Sequence, residues 1–122
     1  MGLSIKRWLA GKHASVEISE SQGVRMLHLG GDAIQSAIRL SRPEALELHY
    51  TRALMGFMLF QPSPRDVLMI GLGGGSVARF VHHHRIAEHM VAVELNPRVV
   101  TVARGYFGLP EDDERLQVVV AD

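Results

Sequence analysis

The segment Val67-Leu68-Met69-Ile70-Gly71-Leu72-Gly73-Gly74-Gly75-Ser76 constrains the fold of this chain more than any other. Four consecutive apolar residues suit a strand buried on both faces, as in a parallel sheet. The glycines directly after it permit positive φ and let a ligand reach the backbone with no Cβ in the way. A helix is expected from about Ser76 to His84. Met90 to Val93 then reads as a second strand ending in Glu94, and Asn96-Pro97 as the cap and first position of a second helix. That helix carries Val99, Val100, Val102, Ala103, Tyr106 and Phe107, and Gly108 closes it. Leu116 to Ala121 is the third strand, followed by Asp122. From Arg65 onward the pattern is therefore βαβαβ.

The chain before Ser41 has a different rhythm. Ala14 to Ser19 places Val16 and Ile18 on one face, Ser21-Gln22-Gly23 makes a turn, and Val24 to Leu29 runs back. Gly30-Gly31-Asp32 is the next turn and Ala33 to Leu40 the next run. Short runs joined by glycine-containing turns predict an antiparallel meander, too small to stand alone. Ser41-Arg42-Pro43-Glu44 fits a capping box opening a helix with Leu46, Tyr50, Ala53, Leu54, Phe57 and Met58 at helical spacing, ended by Pro62 and Pro64. The expected fold is α/β, with a β meander over 1–41 and the first half of a Rossmann-like, doubly wound parallel sheet over 42–122.

With 122 residues, 13 basic against 13 acidic side chains and no cysteine, several function classes fall away. Balanced charge argues against a nucleic-acid partner held by a basic face. Without cysteine there is no disulfide framework, thiolate zinc site or cysteine nucleophile. The longest apolar run, Ala53 to Phe60, is far short of the roughly 20 residues of a membrane span. No secretory signal is read at the N-terminus, and a cytoplasmic protein without membrane or nucleic-acid partners is expected.

The glycine loop and two acids carry the chemistry. Glu94 ends the second strand at about the distance where a carboxylate accepts from ribose hydroxyls, and Asp122 ends the third, where an acid can accept from an adenine amino group. An adenosine-type ligand is the functional reading; a turn needing glycine for geometry alone is the structural one. The dinucleotide fingerprint wants glycine where Ser76 stands, and no Lys follows the loop as a phosphate-cradling P-loop requires. The G-x-G-x-G loop with Glu94 looks like the nucleoside-sulfonium site of class I S-adenosylmethionine-dependent transferases.

Together, Val67 to Gly75, Val93-Glu94-Leu95-Asn96 and Tyr106-Phe107-Gly108-Leu109-Pro110 resemble the polyamine aminopropyltransferases, the spermidine synthase family. The order of these motifs and the β prelude with Ala33-Ile34-Gln35 single the family out; the resemblance runs from about Val16 to Asp122. It implies aminopropyl transfer from decarboxylated S-adenosylmethionine to an amine, with that nucleoside or S-adenosylmethionine as co-substrate and no metal. Carried over, Gly71, Gly73 and Gly75 are the glycine loop, Glu94 the ribose-binding acid, Asp122 the acid near the adenine, and Gln35 the glutamine that closes over the donor. The family's loop Asp falls on Gly74, and its His/Gln-Glu pair falls on Tyr50-Thr51. Two carboxylates that would hold a polyamine are thus absent, so weak polyamine turnover is expected, and Gly74→Asp is expected to improve diamine binding in an intact pocket. The family's catalytic Asp lies beyond the third strand. The chain is therefore expected to be the N-terminal portion of a longer enzyme, without catalytic residues of its own, and a homo-oligomer. A methyltransferase, a non-catalytic binding module on the same fold and, more distantly, an NAD-dependent oxidoreductase are the alternatives.

The remaining features have plainer readings. His82-His83-His84 point about 100° apart on a helix and do not converge on one ion, so a solvated helix end is expected. Glu111 to Glu114 reads as a solvated acidic loop, Met55, Met58, Met69 and Met90 as core filler, and Trp8 as either exposed or packed on a partner subunit.

Overall fold

Two sheets organise the molecule. The computed structural model describes residues 15–122 and, ahead of them, the backbone of a short strand β1 (Lys6–Trp8). That strand was not expected; the side chain of Trp8 lies outside the described residues. β1 pairs antiparallel with β2 (Val16–Ser21), which pairs with β3 (Val24–Leu29), which pairs with β4 (Ser36–Arg39). The β2–β3 turn is Gln22-Gly23 with φ of 50° and 76°, the double positive φ of a two-residue hairpin whose twist matches its strands. Val16 and Ile18 share a buried face, opposite Leu29 and Leu27.

The connection to the second sheet departs from expectation. Residues 41–48 form turns rather than the start of a helix, and α1 covers only His49–Leu54 before a 3₁₀ turn at Met55–Leu59. No side chain caps α1. Glu47 is drawn into an ion pair with Arg39 on β4, and Leu46 is buried, so tertiary contacts hold this stretch where a capping box would have wound it up. Tyr50 and Leu54, read as apolar helix positions, are 46% and 54% exposed.

The second sheet is parallel, in the order β5 (Asp66–Ile70), β6 (His89–Glu94), β7 (Leu116–Val120), with α2 (Ser76–His83) and α3 (Pro97–Tyr106) as crossovers. Asn96 caps α3 as expected, its side chain accepting from the Arg98 N–H at 3.0 Å, with Pro97 next. Gly108, with φ of 67°, ends it, and the Leu109 N–H donates back to the Ala103 carbonyl. Sequential strand order with right-handed crossovers puts both helices on one face. Accordingly Val67, Met69, Met90, Ala92, Leu116 and Val118 pack with Ala78 and Val81 of α2 and Val100 and Ala103 of α3. The other face has no such cover among the described residues: Leu68 and Ile70 are 66% and 78% exposed. The apolar run read as buried on both sides is covered on one.

A second core binds the two sheets together. Val16, Ile18, Leu27 and Ile38 of the meander pack against Val99 and Val102 of α3 and against Phe107, which has no exposed surface. The architecture is thus α/β, a β meander docked on an incomplete Rossmann-like unit.

Candidate functional site

The C-terminal ends of β5, β6 and β7 lie side by side, because Ile70 pairs with Val93 and Val120 with Glu94. Open α/β sheets bind ligands at this edge. Gly71 directly follows β5, Glu94 ends β6 and Asp122 lies two residues past β7, so sequence positions far apart come to one edge of the sheet. Asp122 is exposed, just past the Ala121 N–H that donates to the Glu94 carbonyl.

The loop is held by Glu94. One carboxylate oxygen accepts from the N–H groups of Leu72 at 2.9 Å and Gly73 at 3.4 Å; the other accepts from the Asn96 N–H at 3.0 Å. Two carboxylate oxygens offer about four acceptor positions, so this arrangement leaves capacity for a ligand hydroxyl. Positive φ at Gly71, Gly73 and Gly75 (84°, 57° and 79°) is what the loop needs glycine for. Leu72, by contrast, turns its side chain into the core beside Ala78 and Val81.

The meander supplies the opposite wall. Gln35 lies directly on the loop, where a Cβ on Gly73 would overlap its side-chain amide. The next residue, Ser36, is buried; its hydroxyl accepts from the Gly74 N–H at 2.8 Å and donates to the Gln35 side-chain oxygen. The Tyr50 hydroxyl donates to the Gln35 carbonyl, and Ser76 at the start of α2 reaches the Ala37 carbonyl at 3.5 Å. Thr51 is buried and donates to the Leu48 carbonyl. The pair Tyr50-Thr51 therefore braces the loop's neighbour and its own helix start. Sequence reading assigns no role to Ser36 and gives Tyr50 only an apolar helix position and a departure from the family, because a hydroxyl in a short strand or at a helix start carries no sign of a partner so distant along the chain.

Gly74 has a different reason for being glycine. Its φ is not in the left-handed region, but a Cβ there would sit 2.7 Å from the Ser36 Cβ, 3.1 Å from its Oγ and 3.4 Å from the Phe107 ring. Gly74→Asp therefore carries a steric cost: the first atom of the new side chain would meet the Ser36 Cβ, and something must shift to admit it.

Two charged groups elsewhere are committed to structure. Arg79 on α2 is buried and donates to the Phe107 carbonyl at 2.5 Å, while its Nε and Nη2 find no partner among the described residues. Burial lowers its pKa to about 10, against the opposing pull of Glu44. The acidic loop is not simply solvated. Asp112 accepts from Arg104 and from the Val118 N–H, and Asp113 from the N–H groups of Arg115 and Leu116. Asp113 also contacts His82 Nε2 at 2.6 Å, so His82 belongs to a tied corner, while His84 packs against the Phe80 ring.

Comparison with known proteins agrees with this geometry. Residues 47–122 match the model of the spermine/spermidine synthase domain. A polyamine aminopropyltransferase of Chromobacterium violaceum is 49% identical over 107 residues, covering 88% of this chain and 41% of that protein. The chain thus spans about two-fifths of the length of that curated relative. The crystal structure of spermidine synthase from Thermotoga maritima superposes with a TM-score of 0.74 at 24% identity, over 96% of this chain and 39% of that one. Human methyltransferase-like protein 13, in complex with SAH, superposes with a TM-score of 0.53 at 30% identity, over 62% of this chain and 37% of that one. A domain match over most of the chain and near-half identity to a polyamine aminopropyltransferase make this chain a member of the spermine/spermidine synthase family.

Proposed function

We propose that the chain is the S-adenosyl nucleoside-binding portion of a spermidine synthase-like transferase, with decarboxylated S-adenosylmethionine or S-adenosylmethionine as co-substrate. The observation that carries it is Glu94: a carboxylate at the strand edge that already orders the glycine loop and keeps acceptor capacity for ribose hydroxyls. Gly71, Gly73 and Gly75 let the loop lie against the nucleoside, Gln35 closes over it from the meander, and Asp122 accepts from the adenine amino group. In the longer protein the reaction is aminopropyl transfer to an amine. Methyl transfer is the second reading, supported by the 30% identity to a methyltransferase-like protein solved with SAH.

Titration of the chain with methylthioadenosine in a calorimeter tests the site. Glu94→Ala should weaken binding by about 1–3 kcal/mol, the range for hydrogen bonds to a charged group. Unchanged affinity in a folded Glu94→Ala chain would remove Glu94, and with it this assignment.

A further inference from the structure

We propose that Ser19 and His28 form a nucleophile–base pair, and that Ser19 accepts the acyl group of small esters in a cavity on the face of the meander turned away from α3. This site stands apart from the glycine loop and does not depend on nucleoside binding there.

Strand pairing builds the pair. β2 and β3 are antiparallel, with Ser19 opposite Met26 and Glu17 opposite His28. Side chains alternate along a strand, so these four share the face opposite Val16, Ile18 and Leu27, which pack against α3. Directly across from His28 stands the Glu17 carboxylate, the natural partner for a cross-strand ion pair. The imidazole bonds along the diagonal instead. Its Nε2 lies 2.8 Å from the Ser19 Oγ, and its Nδ1 lies 3.2 Å from the Ala33 carbonyl oxygen. A carbonyl oxygen accepts and never donates, so Nδ1 carries the proton. In the neutral ring that leaves the Nε2 lone pair to accept from the Ser19 hydroxyl. A serine donating to one ring nitrogen while an acceptor fixes the other is the arrangement that activates a hydroxyl.

The surroundings admit a small substrate. Ser19 and His28 line a cavity of about 290 Å³, at the small end of the range for ligand pockets, together with Glu17, Met26, Asp32 and Ile34. Met26 and Ile34 offer apolar surface to an acyl chain, while the two carboxylates turn away anionic esters. Ser19 is 6% exposed, so packing holds its hydroxyl in place. Gly31 and Asp32 line the same cavity, and their N–H groups make no backbone hydrogen bond among the described residues. They are the nearest donors for the charge that develops on an acyl oxygen.

In the reaction the Ser19 Oγ attacks the acyl carbonyl carbon while its proton passes to His28 Nε2. The tetrahedral adduct collapses by breaking the bond to the alcohol oxygen, and the alcohol leaves with the proton from Nε2. Water then attacks acyl-Ser19 by the same route, releasing the carboxylic acid and restoring the serine.

The probe is p-nitrophenyl acetate, a neutral ester with a small acyl group, applied to the whole 122-residue chain. The exposed imidazoles of His83 and His84 also react with such esters, so two readouts are needed. One is the position of the acetyl group, mapped by peptide mass spectrometry after acid quenching at successive times. The other is nitrophenolate release compared with that of Ser19→Ala. The unsubstituted chain should form acetyl-Ser19 and release nitrophenolate faster than Ser19→Ala. His28→Gln keeps a polar side chain beside Ser19 but supplies no base, and should slow acetylation of Ser19 at least about a hundredfold. Circular dichroism should show both variants melting as the parent does. If the unsubstituted chain gives no acetyl-Ser19 and no release beyond that of Ser19→Ala, the proposal is overturned whatever the variants do. Acetylation of Ser19 at the parental rate in a folded His28→Gln chain would overturn it as well.

Discussion

Phe107→Ala probes the joint between the two sheets. Phe107 has no exposed surface and packs among Val16, Ile18, Leu27 and Ile38 from the meander and Val99 and Val102 from α3. An aromatic side chain buries about 150–250 Å², worth about 4–6 kcal/mol at roughly 25 cal/mol per Å². Truncation leaves its Cβ in place but opens a cavity, and measured Phe→Ala changes in cores cluster at about 3–5 kcal/mol. We expect about 4 kcal/mol, against a total of about 5–15 kcal/mol for a whole domain. In urea, with a slope of about 2 kcal/mol per molar, the midpoint should fall by about 2 M. Phe60→Ala is the matched control. Phe60 is 89% exposed, so its loss should change stability by less than about 0.5 kcal/mol. A loss below about 1.5 kcal/mol for Phe107→Ala, with an unchanged slope, would refute the shared core and leave the docking of Ser36 on Gly74 without its support.

Two further outcomes are expected. Hydrogen bonding from His82 and from the N–H groups of Arg115 and Leu116 holds the Asp113 pKa at about 2, below its ordinary 3.8. A depressed carboxylate stabilises the folded state fully above its ordinary value and loses that contribution as pH falls toward 2, so Asp113→Asn should flatten the acid limb of urea midpoints measured between about pH 4 and pH 2; an unaltered limb would dismiss the role. We also propose that the chain self-associates through β5, which among the described residues pairs on one side only and exposes Leu68 and Ile70. Sedimentation across a concentration series should show association that Ile70→Lys suppresses, and a monomer at high concentration of the unsubstituted chain would refute it.

Local chemistry made much of the fold legible. Gln22-Gly23 reads as a hairpin turn and Asn96-Pro97 as a helix start because turns and caps are decided by residues within a few positions of one another. The βαβαβ rhythm follows from apolar runs alternating with helical spacing, and strand ends in such a sheet fall together, which brings Gly71 and Glu94 to one edge without further information. The capping box at Ser41–Glu44 shows where local reasoning stops. Its residues suit a helix, yet Glu47 pairs with Arg39 and the helix starts at His49.

What only tertiary structure decided is the wall facing the loop. The Ser36 hydroxyl meets the Gly74 N–H across 38 positions, and the Tyr50 hydroxyl reaches the Gln35 carbonyl. Nothing in the residues around 74 announces that the space beside that glycine is taken, because the occupant comes from a strand in the other sheet. A buried N–H must find an acceptor and a filled volume admits no further atom. Both conditions are set by where the meander docks on α3, through Phe107 and its neighbours, and that docking is a property of the packed whole rather than of any segment.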